Sequence, residues 1–224
     1  MKQAILFILL GFMLNAALAQ KYSFRLKGDI INAEDGKVAL YSPADSVHAL
    51  LRTDIKDGLF ALAGKLKEPG YYILDVSGAK FPIILDSKEM TLYGDYLEPD
   101  TKLLKGSPSV KTRLEKDRLY YQTQELPLQH AIEKFYQMAE NGDNLSENAD
   151  DFMRKNIQKI HREWEETLLD FVRQHPDDLY IPVLIIQEIN TGNIEWGQKA
   201  YGLLTPKMQN SQPGRLLKQA LGKE

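Results

Sequence analysis

His161 and Glu165 stand four residues apart, the spacing at which two side chains share one helix face. An imidazole and a carboxylate so placed are two of the three or four ligands that a zinc site uses. No third ligand lies at close spacing, and His48, His130 and His175 have no partner at ligand spacing. The pair therefore reads first as an ordinary solvated helix face. Asp150-Asp151 and Asp177-Asp178 are adjacent carboxylates and invite an acid–base reading. That chemistry needs two carboxylates converging in a cleft. Both pairs sit instead beside expected helix starts, where they accept from unpaired amides and favour the helix dipole.

Other chemistries fail for want of residues. The chain has no cysteine, so thiolate nucleophiles, disulfides and a lipid anchor on cysteine are closed to it. It has no Gly-x-Ser-x-Gly elbow and no glycine-rich phosphate loop. A net charge of −3 gives no basic surface for nucleic acid or an anionic membrane. The expectation is a non-enzyme, with no catalytic residue, no cofactor and no metal ligand. Tyr71, Tyr72, Tyr93 and Tyr96 suit either a sugar- or peptide-binding face or sheet core with cross-strand pairs, and core is favoured. Trp164 reads as core.

The elements that carry these residues begin after a leader. "MKQAILFILLGFMLNAALAQ" has a basic Lys2, an apolar run from Ala4 to Leu14 and a small-x-small site ending at Ala19. The run is too short to span a hydrocarbon core of ~30 Å. It predicts a signal peptide over 1–19, cleaved between Ala19 and Gln20, and an exported protein, periplasmic or secreted. No later stretch is apolar enough to be a transmembrane segment.

From residue 20 to residue 106 the apolar period is two. "YSFRLKGDI" alternates Tyr22, Phe24 and Leu26 against Ser23, Arg25 and Lys27, a half-buried strand. "EDG" reads as a turn, and Asp57-Gly58 in "KDG" as a hairpin signal. "KVALYSP", "HALLRTDI", "LFALAG", "YYILDVS", "FPIILDS", "MTLYGD" and "TKLLKGS" bring the candidate strands to about eight. From 107 to 224 the period becomes helical. Ser107 reads as a cap before Pro108. Leu114, Leu119 and Tyr121 are the apolar points of a first helix, and Pro127 starts a second helix or kinks the first. Leu128, Ile132, Phe135 and Ala139 then lie on one face. Met153, Ile157, Ile160, Trp164, Leu168 and Phe171 form one stripe along a long helix from about Ser146 to Gln174. "IPVLIIQEI" reads as a buried helix. The fold class is α+β: an N-terminal antiparallel β-sandwich or open barrel, then an all-helical region.

The strings "FRLKGDI", "GKVALYSP", "DIKDGLFALAG" and "EPGYYILDV" resemble domain of unknown function 4369, over roughly residues 22–106. Its most recognisable positions are Asp54, Asp57, Gly58, Phe60 and Gly64. The resemblance implies a small β-sandwich of exported proteins of Bacteroidetes-type bacteria, in which these five residues serve turns and strands. In such relatives a helical segment often leads to a thioredoxin-like thiol–disulfide oxidoreductase domain. "HPDDLYIPVLI" and "LLTPKMQNSQPGRLLKQAL" are similar to that connector. The catalytic domain would follow "LGKE", and without a Cys-x-x-Cys its redox activity is not carried over.

The functional expectation is a non-catalytic binding or interaction module of the bacterial cell envelope. Alternatives are an accessory partner of a thiol–disulfide oxidoreductase system acting in trans, or an unrecognised hydrolase or small-ligand binder. Leu203, Leu204, Met208, Leu216, Leu217 and Leu221 crowd the end of the chain. They are the expected docking surface, for self-association or an envelope protein, with inward packing the even alternative.

Overall fold

A computed structural model describes residues 22–98, 102–140 and 145–222, apart from the side chains of 139 and 145–150. The leader, with its cleavage site at Ala19 and Gln20, lies outside the described residues. The chain divides into two compact units, Met1–Gly106 and Ser107–Glu224. No helix among the described residues is long and apolar enough to cross a membrane.

The first unit is one curled sheet, a half-barrel of eight strands. They are β1 (Tyr22–Ile31), β2 (Gly36–Ser42), β3 (Asp45–Lys56), β4 (Leu59–Leu66), β5 (Gly70–Val76), β6 (Ala79–Leu85), β7 (Glu89–Asp95) and β8 (Leu103–Lys105). Their order is β6-β5-β2-β3-β4-β1-β7-β8. The period-two pattern becomes two faces. Phe24, Leu26 and Ile30 of β1 are buried, and so are Phe60 and Leu62 of β4 and Met90 and Leu92 of β7. Ser23, Arg25, Lys27, Asp29 and Ile31 point the other way. The pairing is antiparallel as expected, with one exception: β1 and β7 run parallel, with Lys27 opposite Thr91 and Asp29 opposite Tyr93. β4 already holds the other edge of β1 in antiparallel register. The chain then travels out to β5 and β6 and returns to the remaining edge in the same direction as β1.

The Asp57-Gly58 turn joins β3 to β4 with φ of 50° and 77°. Positive φ at both central residues is the two-residue hairpin geometry whose twist matches that of strands. The Gly58 carbonyl accepts from the Ile30 amide at 2.9 Å. A Cβ at Gly58 would stand 2.5 Å from the Ile30 oxygen, so this close approach admits only glycine.

The second unit is helical. Helix α1 (Pro108–Tyr120) passes through a π-helical turn (Tyr121–Glu125) into α2 (Leu126–Glu140). Then come α3 (Leu145–Gln174), α4 (Tyr180–Ile189), α5 (Ile194–Leu203), α6 (Pro206–Gln209) and α7 (Gln212–Ala220). Pro127 does interrupt the first helix. It has no amide to give the Thr123 carbonyl, and the widened turn just before it is closed by Leu126 N–H donating to Tyr121. Ser107 occupies the cap position of α1, but its hydroxyl makes no cap bond. α4 is buried nearly all round, from Tyr180 to Ile185 and at Ile189. The long stripe is buried at Ile160, Trp164, Leu168 and Phe171, and open at Ile157.

Two helix faces differ from expectation. On α1 the buried residues are Ser109 and Thr112, while Leu114 and, in the π-helical turn that follows, Tyr121 are exposed. The hydroxyls of Ser109 and Thr112 donate to the two carboxylate oxygens of Asp178 at 2.7 and 2.6 Å. A charged acceptor at the start of α4 thus sets the inward face, because hydrogen bonds to a carboxylate are the strong ones. On α2 the buried residue among those whose side chains are described is Ala131, and Leu128 and Ile132 are exposed.

Candidate binding face

The outward side of the sheet should be uniformly polar if alternation alone ruled it. Over β4 it is not. "LFALAG" is apolar in both phases, so Leu59, Ala61 and Ala63 point outward while Phe60 and Leu62 fill the core. The register brings the outward residues into rows. Asp29 lies between Leu59 and Tyr93, and Lys27 between Ala61 and Thr91. Small side chains at Ala61 and Thr91, flanked by larger ones, leave a shallow hollow of about 540 Å³, rimmed by Leu59, Tyr93, Lys27 and Asp54. A second hollow of about 310 Å³ shares Asp29 and Tyr93 with it and reaches Ile31 and Asp95. Leu59 is 57% exposed and Ile31 64%.

Polar groups around the hollow are held in place. Lys37, directly across from Asp54 on β2, makes an ion pair with its carboxylate. Asn32 donates to Asp95 at 2.9 Å. The Lys105 ammonium lies 4.7 Å from the centroid of the Tyr93 ring. The arrangement has an apolar centre and a mixed-charge rim, which suits contact with another surface. Two carboxylates, those of Asp29 and Asp54, border the hollow.

The five motif residues gather at the β3–β4 hairpin. Asp57 and Gly58 form the turn, and the Asp57 amide donates to the Asp35 carboxylate at 2.8 Å. The Phe60 ring packs where a side chain at Gly28 would be, its Cε1 only 1.8 Å from a built Cβ. Gly64 makes room for Leu51 in the same way. Asp54 also borders the hollow.

The other residues considered scatter. Glu165 accepts from Asn193 at 2.5 Å, and no group of three metal-ligating side chains occurs among the described residues. Asp178 accepts from the Tyr180 amide, as a helix start requires, and Asp177 accepts from Thr205. Lys155 and Arg154 hydrogen-bond to Asp151 and hold its carboxyl below the usual range; the Asp150 side chain lies outside the described residues. Tyr72 is core, with its hydroxyl donating to Glu68 at 2.8 Å. Burial raises the Tyr71 phenol, and Tyr96 donates to the Ser77 carbonyl. Tyr93 alone of the four lines the hollow. Of the six residues at the chain's end, Leu204, Met208, Leu217 and Leu221 are buried in the helical unit, and Leu203 and Leu216 are half-buried. Sequence reasoning did not single out Lys27, Asp29, Leu59, Ala61 or Thr91. The signal was an apolar residue in the polar phase of a strand, at Leu59.

Residues 24–112 match the family model described as domain of unknown function (DUF4369). The match covers all five motif residues and runs past the sheet to Thr112. No curated protein and no solved structure matches the chain.

Proposed function

We propose that the chain is an exported, non-catalytic binding module of the bacterial cell envelope, and that it presents the outer face of its curled sheet to a protein partner. The observation that carries the reading is the exposed apolar hollow at Leu59, Ala61 and Tyr93, continuous with Ile31. Exposed apolar clusters with polar rims are typical of interaction sites. A protein is favoured over a sugar because Lys105 lies over the Tyr93 ring, where a sugar would stack. Export rests on the leader, and intact mass should show a mature chain beginning at Gln20.

Affinity purification from cells that make the protein tests the binding. Wild type and Leu114→Asp, altered in the helical unit, should retain the same envelope protein in stoichiometric amount. Leu59→Asp should lose it while its melting temperature stays unchanged, as befits a surface position. No stoichiometric partner for wild type, or equal retention by Leu59→Asp, would overturn the reading.

A further inference from the structure

Helix α2 has one large neighbour. Among the described residues, and apart from the π-helical turn that it continues, it packs substantially on α3 alone. Two helices bury a seam, but an apolar stripe wider than a seam needs further partners. Ala131 occupies the seam, and the wider stripe stays open: Leu128 is 37% exposed and Ile132 39%. Across from them on α3, Ile157 is exposed too. Tyr120, Leu128, Ile157 and Ile160 line an apolar groove of about 170 Å³ between the helices.

The two helices are antiparallel, and two contacts fix their register. The Gln124 side-chain amide donates to the Ile160 carbonyl at 2.7 Å, and the Lys134 ammonium sits over the Phe152 ring. Leu128 is therefore level with Ile157, and Ile132 with Met153. Glu125 and His161 close one end of the groove, an acceptor at the end of the π-helical turn and a ring nitrogen on α3.

We propose that this groove is a two-fold interface with a second copy of the chain, which completes a four-helix bundle. A two-fold axis parallel to the helices preserves level. It places α2 of one copy against α3 of the other, antiparallel, so that every neighbour in the bundle is antiparallel. Leu128 then meets Ile157 of the other copy, Ile132 meets Met153, and Glu125 meets His161. A surface that two copies share must be complementary to itself. This one is so in both its apolar layers and its polar end, and that selects a second copy over an unrelated helix. The interface lies in the helical unit and does not depend on the sheet-face reading.

Sedimentation equilibrium of the mature protein tests it. Wild type should show a concentration-dependent dimer. Leu128→Lys and Ile157→Asp should each weaken it more than about tenfold, as truncation of central contacts does. An equimolar mixture of the two variants should recover association, since the ammonium introduced in one copy then faces the carboxylate introduced in the other. Recovery in the mixture also shows that both variants are folded. Leu114→Asp, on the exposed side of α1, should dimerise as wild type does. A wild-type monomer up to about 1 mM, a dimer indifferent to both substitutions, or a mixture no stronger than its components would overturn the proposal.

Discussion

In the curled sheet, the pleat puts alternate side chains of β1, β4 and β7 inside, and the outward positions are left for charge or for contact. In the helical unit, the inward face of α1 is made of Ser109 and Thr112 held by Asp178, while its apolar Leu114 is outside. The sheet side of this comparison teaches that a surface can be apolar without serving the fold: Leu59 and Tyr93 could be changed and Phe60 and Leu62 would remain packed. The helical side teaches that a polar contact can decide which way a helix faces when its acceptor is a carboxylate at the next helix start.

The largest effect should come from the apolar core that both units possess. Phe171→Ala removes a fully buried ring from the helical unit and should lower its stability by about 3–5 kcal/mol. Chemical denaturation measures this; a loss below about 1 kcal/mol would mean that the helical unit is loosely packed. In the sheet, Gly28→Val forces a side chain into the Phe60 ring and should lower stability by about 1–3 kcal/mol. Adding Phe60→Ala should offset part of the Gly28→Val loss. Strict additivity in that double-mutant cycle would deny the contact.

The polar contrast is sharper but smaller. Asp178→Ala leaves two buried hydroxyls and the Tyr180 amide without their acceptor, at about 1–3 kcal/mol. The exposed Lys37–Asp54 pair should be worth only about 0–1 kcal/mol to Lys37→Ala. Equal losses would erase the distinction between the units. The smallest effect is a pH dependence. Burial raises the Glu188 carboxyl above its ordinary 4.5, against the opposing pull of Lys116. A raised folded value favours the folded state below 4.5, and that advantage is lost as pH climbs through the shifted value. Glu188→Gln should therefore melt slightly higher than wild type at neutral pH and equally well below pH 4.5. Thermal melts at the two pH values check this.

Eight strands and the Asp57-Gly58 turn were legible because alternation and positive-φ chemistry are local. The parallel pairing of β1 with β7 was not, since it depends on which edge remains after β4 has taken the first. The inward turn of Ser109 and Thr112 was not legible either, because their acceptor, Asp178, is more than sixty residues away. The hollow left only a trace: Leu59 in the polar phase was visible, but the rows that place it beside Asp29 and Tyr93 are set by register. Of the six residues named near the end of the chain, four pack inward and Leu203 and Leu216 stay half-buried, a division that depends on helix packing rather than on local pattern.

The central claim is that the outer sheet face binds a protein. Photo-cross-linking in producing cells tests it most directly, with a photoreactive amino acid at Ala61, in the floor of the hollow. The expected result is one adduct of defined mass, absent when Leu59→Asp is added and absent when the photoreactive group is placed at Leu114. No adduct at Ala61, or the same adducts from both positions, would contradict it.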